Sequence, residues 1–264
     1  MKLSLEYSGP FTLAAFRFFL GFVLLSPFLF REKQAIQKLT LKQWGQLLLV
    51  GVSAYTVGNA LGFWGLDFLP VSTAAFLMSF SPVLTLIAGV LWLKEFPRKI
   101  QLLGVAVLLI GSSLFFSGGI ESGQWQGLGL LALSLISMVF FWLLSRKLAR
   151  ENAIKTLPLT ALPLGLGGGL LFFIAFPVEG VVPMPPMFWL WLMLMVVFST
   201  SLSFMLYNHA LQTLTAFEMN TLISMVPLLT ALMAFLFLNE TLSLWQWVGM
   251  IIAVVGVVLV QSRR

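Results

Sequence analysis

Charged residues are scarce in this sequence and cysteine is missing altogether. Only 9% of the 264 residues are charged, against about a quarter in soluble domains, so an ordinary soluble domain is excluded. Without cysteine the chain can form neither disulfides nor thiolate metal sites. It has one histidine, one aspartate outside the long apolar runs, and no HExxH or GxSxG motif. These absences argue against an intramembrane enzyme, and we expect no catalytic residues, no metal and no cofactor.

Long apolar runs fill most of the chain. Hydrophobic residues make up 59% of it, and each run approaches the roughly 20 residues that a transmembrane helix needs. Short segments of alternating polarity, the pattern of a membrane barrel, do not occur. The sequence therefore predicts an all-α polytopic membrane protein embedded in a lipid bilayer. The predicted spans are 10–30, 43–65, 71–93, 98–117, 125–145, 157–176, 187–208, 215–238 and 243–261.

The chain contains an internal repeat. A shift of 145 residues places Pro82 on Pro227 (227 − 82 = 145) and Glu95 on Glu240 (240 − 95 = 145). At this shift, residues 66–116 and 211–261 share 14 identities in 51 positions without a gap. Self-similarity at a fixed spacing is the mark of a duplicated architecture. We predict two helical bundles, a first repeat over 1–117 with four helices and a second over 125–264 with five.

Basic residues lie beside alternate connections. Thirteen of the fifteen Lys and Arg residues do so, whereas 66–70, 118–124, 177–186 and 239–242 hold none. The positive-inside rule then puts the basic connections and the C-terminus in the cytoplasm, and nucleic acid is not an expected partner. Because the turn after Glu95 is basic and the turn after Glu240 is not, the repeats are predicted to cross in opposite directions, as in secondary transporters. The basic set is Arg31, Lys33, Lys38, Lys42, Lys94, Arg98, Lys99, Arg146, Lys147, Arg150, Lys155, Arg263 and Arg264.

With the repeat in hand, the sequence resembles the EamA-like family of the drug/metabolite transporter superfamily. The resemblance is carried by Pro10 followed by Leu13-Ala14-Ala15-Phe16-Arg17, by the two proline-centred helices that end in glutamate, and by the glycine pairs Gly104/Gly111 and Gly249/Gly256. It implies a transporter, commonly an exporter, of small metabolites such as amino acids in a bacterial inner membrane. The resemblance implies ten helices, whereas we predict nine spans, so either the first helix is missing before Pro10 or the chain works with nine helices.

Polar and aromatic residues inside the spans are the candidates for a substrate pathway. Arg17 is the only basic residue within a span, and such a residue faces protein or a wet cavity by default, although it could instead reach the outer interface. Asn59 neighbours Tyr55 on one helical face and needs a partner when buried. The full candidate set is Arg17, Tyr55, Asn59, Trp64, Ser79, Ser81, Trp142, Asn220 and Ser224.

Other positions have structural interpretations. Pro82 and Pro227 each remove a helical hydrogen bond and are hinge candidates, with a static kink as the alternative. Gly51, Gly58 and Gly62 share a face with Gly65, which favours close helix packing. The sequence thus predicts a secondary transporter working by alternating access, and the alternative is a membrane scaffold that transports nothing. The substrate, proton coupling and oligomeric state stay open.

Overall fold

A computed structural model describes residues 8–69, 74, 77–115, 125–180, 184–226, 228–229, 232 and 243–262. Every element in these ranges is helical. We number the main helices α1 Pro10–Leu29, α2 Leu41–Leu66, α3 Ser81–Leu93, α4 Lys99–Phe115, α5 Trp125–Arg150, α6 Thr156–Glu179, α7 Pro186–Ala210, α8 Ala216–Ile223 and α9 Leu244–Gln261.

Six of these helices are long and apolar enough to cross a membrane: α1 (with its short helical continuation to Gln37), α2, α5, α6, α7 and α9. They correspond to six of the predicted spans, and α4 corresponds to a seventh although it is shorter. The chain is therefore an all-α, multi-pass membrane protein, as its composition predicts.

The spans predicted over 71–93 and 215–238 differ from the structure, because each contains a break. A turn at Ser79–Phe80 precedes α3, so Pro82 lies in the first turn of a new helix instead of the middle of a long one. A proline is tolerated there because the N–H it lacks has no intrahelical partner. A second turn, Ser224–Met225, follows α8 at the position 145 residues later (224 − 79 = 145). Pro227 lies outside the described residues.

Two long helices contain a π-helical segment near the middle. The segment is Val52–Gly58 in α2 and Met195–Leu202 in α7, and the shift of 145 residues makes them overlap. A π-helical turn leaves a backbone carbonyl without its normal N–H donor. In both helices, a side chain five residues further on donates a hydrogen bond to that carbonyl. Asn59 Nδ2 donates to Ala54 O at 2.7 Å, and Ser203 Oγ donates to Phe198 O at 2.8 Å. π-Helical turns of this kind occur frequently at functional sites.

The chain divides into two compact units. Unit 1 comprises the residues up to Trp64 together with Ala132–Thr213, and unit 2 comprises Gly65–Leu131 together with the residues from Leu214 onward. Unit 1 therefore holds α1, α6, α7 and most of α2 and α5, whereas unit 2 holds α3, α4, α8 and α9. Each unit takes helices from both predicted repeats.

In unit 1, α1 packs against α6 in antiparallel orientation. A Cβ added to Gly168 would meet Phe18 and Phe19, and one added to Gly165 would meet the Phe22 ring 2.7 Å away. Residue numbers along α6 therefore decrease as those along α1 increase, which makes the two helices antiparallel. Only glycine at these positions lets the two helices approach so closely.

The glycine face of α2 also packs as predicted, against α6 and α5. A Cβ on Gly51 would lie 2.7 Å from the Pro163 carbonyl on α6, and one on Gly62 would lie 3.2 Å from Ser134 Oγ on α5. The Ser134 hydroxyl donates to the Gly58 carbonyl at 2.7 Å, and Ser137 donates to the Ser53 carbonyl at 2.8 Å. Side chains of α5 therefore satisfy carbonyls of the π-helical segment in α2.

In unit 2, α4 packs against α9, also in antiparallel orientation. A Cβ on Gly104 would lie 2.8 Å from the Gly256 carbonyl, and one on Gly111 would lie 2.6 Å from the Gly249 carbonyl. These are the glycines that the repeat places at equivalent positions. The buried side chains that surround the contact are Leu108, Phe115, Leu228, Met250, Ala253 and Val257.

Candidate functional site

Arg17 lies within unit 1, part-way along α1. Its guanidinium carbon stands 4.6 Å from the centroid of the neighbouring Phe18 ring, in a cation–π contact. Its Nε atom is buried and has no hydrogen-bond partner among the described residues. Helices α1, α2, α5 and α7 contain no Asp or Glu at all. The only acid of α6 is Glu179 at its end, and both carboxylate oxygens of Glu179 are bonded elsewhere.

Aromatic rings from three helices, α1, α5 and α7, surround Tyr55, and one of them, Phe18, contacts Arg17. The Tyr55 ring lies 4.8 Å from Phe18, 5.2 Å from Phe204 and 5.9 Å from Phe141, centroid to centroid. Phe141 stacks on Tyr207 at 5.9 Å, with an angle of 18° between the planes. We call Arg17, Phe18, Tyr55, Phe141, Phe204 and Tyr207 the aromatic cluster.

Several hydroxyl groups on α7 are buried without a partner within the described part of the chain. They are Thr200 Oγ1, Ser201 Oγ and Tyr207 OH. Thr200 and Ser201 face α1 one turn beyond Arg17, because a Cβ on Gly21 would lie 3.1 Å from Thr200 Cγ2 and 3.6 Å from Ser201 Oγ. A buried polar group without a partner costs about 1 to 3 kcal/mol, so these three hydroxyls on α7 need an explanation.

The repeat makes the contrast sharper. Thr56 and Ser201 are equivalent (201 − 56 = 145). The Thr56 hydroxyl donates to the Gly167 carbonyl at 2.9 Å, whereas Ser201 Oγ is one of the hydroxyls without a partner. The two equivalent positions therefore differ: the Thr56 hydroxyl is hydrogen-bonded, whereas the Ser201 hydroxyl has no partner among the described residues.

Asn59 and Trp64 have contacts outside the aromatic cluster, and Trp142 directly follows Phe141 on α5. The amide of Asn59 closes the π-helical segment of α2, which gives this residue a structural partner. Trp64 is 36% exposed near the end of α2, where its ring lies 5.4 Å from Phe11. Trp142 is half-buried on α5. The structure thus brings Arg17 and Tyr55 together and gives Asn59 and Trp64 contacts outside the cluster.

The candidates of unit 2 form a separate buried group beside Pro82. Asn220 on α8 is 1% exposed; its Nδ2 donates to Thr85 Oγ1 at 2.7 Å, and its Oδ1 accepts from Ser81 Oγ at 3.3 Å. Ser224 donates to the Thr221 carbonyl at 2.6 Å within the turn after α8. Ser79 is buried in the turn before α3. This polar group bridges the two helix ends that flank the breaks.

Two carboxylates, Glu218 and Glu179, stabilise helix ends. Glu218 forms a capping box with Thr215 at the start of α8 and accepts from Gln101 Nε2 at 3.1 Å. Glu179 at the end of α6 accepts from the backbone N–H groups of Phe11 (2.8 Å) and Thr12 (2.7 Å). An acid is favoured at a helix N-terminus, so Glu179 stabilises the start of α1.

Sequence reasoning missed part of this arrangement. The polar run Ser199-Thr200-Ser201 inside an apolar span is a visible signal for the α7 hydroxyls. No local pattern marks Phe141 and Phe204 as neighbours of Tyr55, since 25 phenylalanines are spread through the chain. The Glu179 contact joins residues 168 positions apart and has no local signal either.

Comparison with known proteins gives a consistent answer. A model of the EamA-like transporter family matches the chain twice, over residues 1–117 and 125–262. A solved crystal structure superimposes with a TM-score of 0.84 at 16% identity and covers 100% of this chain and 93% of its own, which shows the fold.

Curated relatives are named as transporters. An uncharacterized transporter of Archaeoglobus fulgidus is 25% identical over 268 residues, covering 100% of this chain and 92% of its own length. The S-adenosylmethionine/S-adenosylhomocysteine transporter of Chlamydia trachomatis is 25% identical over 252 residues, covering 91% of this chain and 77% of its own.

Proposed function

Because the chain belongs to the EamA-like transporter family, we propose that it is a secondary transporter that moves a small metabolite across a membrane by alternating access. Its family and its relatives are transporters and not enzymes. The multi-pass helical fold agrees with this class.

The observation that carries the proposal is the pairing of repeat-equivalent helices. α4 and α9 are related by the shift of 145 residues, and so are α1 and α6, and each pair packs in antiparallel orientation. Two copies that run in opposite directions are the arrangement of inverted-repeat transporters. The alternation of basic connections along the chain supports the same interpretation.

For location and direction, we propose a bacterial inner membrane, a cytoplasmic C-terminus and export as the physiological direction. Amino acids and related compounds are the first substrates to test. The name of the Chlamydia relative adds S-adenosylmethionine to that set.

Two breaks in the helices are the places at which we propose that the motion occurs. The turns at Ser79–Phe80 and Ser224–Met225 interrupt helical hydrogen bonding at equivalent places in the repeat. Pro82 fixes the start of α3 directly after the first turn, and Pro227 is the equivalent residue outside the described ranges. We propose that these two places act as hinges while the pathway opens to each side in turn.

The test is counterflow into proteoliposomes that contain the purified chain. Liposomes preloaded with one unlabelled solute at a time are diluted into the same labelled solute, using amino acids, nucleosides and S-adenosylmethionine. A carrier gives a transient, saturable accumulation that is selective for one chemical class, and protein-free liposomes set the background.

A chain that inserts and folds but gives no saturable accumulation for any solute would overturn the proposal. The membrane scaffold considered from the sequence would then be the better description. Circular dichroism and a monodisperse elution profile after reconstitution separate that outcome from misfolding.

A further inference from the structure

We propose that the aromatic cluster of unit 1 is a binding site for a small organic anion that carries a flat apolar ring. The site would hold one carboxylate against Arg17 and the hydroxyls of α7, and the ring against the phenyl and phenol groups around Tyr55. The inference rests on the transporter function proposed above and names the substrate class of that function.

Arg17 carries a positive charge that no acid of the surrounding helices balances. A guanidinium at the bilayer centre costs roughly 2.5 to 3.5 kcal/mol on insertion scales unless it is paired. Its Nε has no partner among the residues the structure describes, and its helix neighbours α2, α5 and α7 supply no carboxylate. The acid at the end of α6, Glu179, bonds to Phe11 and Thr12. An anionic ligand would therefore supply the missing counter-charge.

The hydrogen-bond donors near Arg17 also favour an anionic ligand. Arginine N–H groups only donate, and hydroxyl groups donate readily to an anion. Thr200, Ser201 and Tyr207 have hydroxyls without a partner among the described residues, and the first two lie beside α1 one turn from Arg17. A carboxylate, with two oxygens and about four acceptor positions, can accept from a guanidinium and from hydroxyls together.

The aromatic rings around Tyr55 favour a ligand whose other end is a flat ring. Phe18, Tyr55, Phe141 and Phe204 contribute rings with centroid spacings between 4.8 and 5.9 Å. Aromatic rings favour edge-to-face and tilted contacts, so a ligand ring that enters between these side chains would be bound by contacts of the same kind. A cationic ligand would meet Arg17 with no acid on helices α1, α2, α5 or α7 to balance it.

The experiment measures equilibrium binding to the full-length chain in lipid nanodiscs. Labelled phenylacetate is the probe, with phenylacetamide as the neutral ligand of the same shape, phenethylamine as the cation, and hexanoate as an acid without a ring. We expect saturable binding of phenylacetate, and binding of the amide and the amine that is at least about tenfold weaker, since a charged hydrogen bond accounts for a factor of ten or more. Hexanoate should also bind several-fold more weakly.

Two variants connect the binding to the named residues. Arg17→Gln should weaken phenylacetate binding at least about tenfold, whereas Arg31→Gln, which makes the same charge change at an exposed position just after α1, should leave it unchanged. Tyr207→Phe should weaken binding several-fold without lowering the thermal midpoint of the free protein, because it removes a hydroxyl that has no partner in the described part of the chain. A purely structural tyrosine would show the opposite pattern.

Equal binding of phenylacetate and phenylacetamide, absence of phenylacetate binding, or wild-type affinity in Arg17→Gln would each overturn the anion site. Hexanoate binding as tight as that of phenylacetate would overturn the ring. If Arg17→Gln does not fold, the acid–amide comparison in the wild-type chain and Tyr207→Phe still decide. Selective counterflow of a cation that persists in Arg17→Gln would overturn this binding site but leave the proposed transporter function standing. Failure of counterflow for every solute would overturn the transporter function itself.

Discussion

Asn59 shows how a polar side chain in this fold can serve the helix that carries it. It was a substrate-pathway candidate because it is an amide within an apolar span. In the structure its Nδ2 donates to the Ala54 carbonyl that the π-helical turn frees. An effect of Asn59 on transport would therefore act through the shape of α2, which also positions Tyr55.

We expect Asn59→Ala to lower the unfolding free energy by about 1 to 3 kcal/mol, because it leaves a carbonyl unpartnered in a half-buried segment. It should also reduce flux while the chain still inserts into the membrane. Thermal denaturation in detergent and counterflow measure the two effects. Ser203→Ala is the matched control on α7, where the bond to Phe198 is exposed and its loss should cost less. Unchanged stability and flux in Asn59→Ala would contradict this account.

Glu179 offers a second prediction at the level of one side chain. Its two oxygens accept the N–H groups of Phe11 and Thr12, so Glu179→Ala should destabilise the chain by about 1 to 2 kcal/mol, the usual cost of losing a helix N-cap. Glu179→Gln keeps one acceptor oxygen and should lose less. The order wild type, Gln, Ala in thermal midpoint is the expected result, and an Ala variant as stable as the wild type would rule out a capping role.

Among the helices, the sequence indicates position better than continuity. The apolar runs place α1, α2, α5, α6, α7 and α9 to within a few residues, because burial in lipid requires a nearly unbroken apolar segment. The turns at Ser79–Phe80 and Ser224–Met225 and the π-helical segments occur inside such runs. A residue that faces lipid must be apolar whether its backbone is α-helical, π-helical or in a turn. The breaks therefore leave little trace in the composition.

The contact between α4 and α9 depends on glycine. Gly111→Val would place methyl groups against the Gly249 carbonyl and the backbone of Ala253, and overpacking of this kind costs about 1 to 3 kcal/mol or more. We expect a clearly lower thermal midpoint. Gly129→Ala on α5 is the control, because a Cβ there meets nothing within 4 Å, and alanine favours a helix by about 1 kcal/mol over glycine. Equal midpoints for the two variants would contradict the packing.

Pro82 tests the hinge at the start of α3. Since its nitrogen lies in the first turn, Pro82→Ala restores no helical hydrogen bond and should change stability by less than about 1 kcal/mol. Transport should slow by a larger factor, because the fixed backbone angle after the Ser79–Phe80 turn is lost. Counterflow rate against thermal midpoint is the measurement. Normal transport in both Pro82→Ala and Pro227→Ala would remove the hinges.

On the scale of the whole molecule, the sequence identifies the repeat and the structure shows which helices pair. The shift of 145 residues follows from aligned prolines and glycines, yet it does not say that α1 packs on α6 or α4 on α9. Those contacts join residues about 150 positions apart and depend on glycine faces that read, locally, as ordinary helix interiors. The substrate candidates likewise separate into Arg17 and Tyr55 in unit 1 and Ser81 and Asn220 in unit 2.

The absence of cysteine makes the predicted orientation directly testable. Phe96→Cys and Ser243→Cys each add one exposed thiol, in the turn before α4 and at the start of α9. A membrane-impermeant maleimide added to intact cells should label only Ser243→Cys, and disruption of the membrane should expose Phe96→Cys. Labelling of both variants from the same side would contradict the opposed repeats.

The antiparallel pairing of repeat-equivalent helices also sets an order for biosynthesis. When a ribosome has released α4, its partner α9 is still 145 residues away, which at about 5 to 20 residues per second means a wait of roughly 7 to 30 seconds. Through that interval the bare glycine surface of α4 faces lipid or an insertion factor, and α1 waits equally long for α6. A nascent chain stalled before α9 should therefore be a preferred target of membrane quality-control proteases.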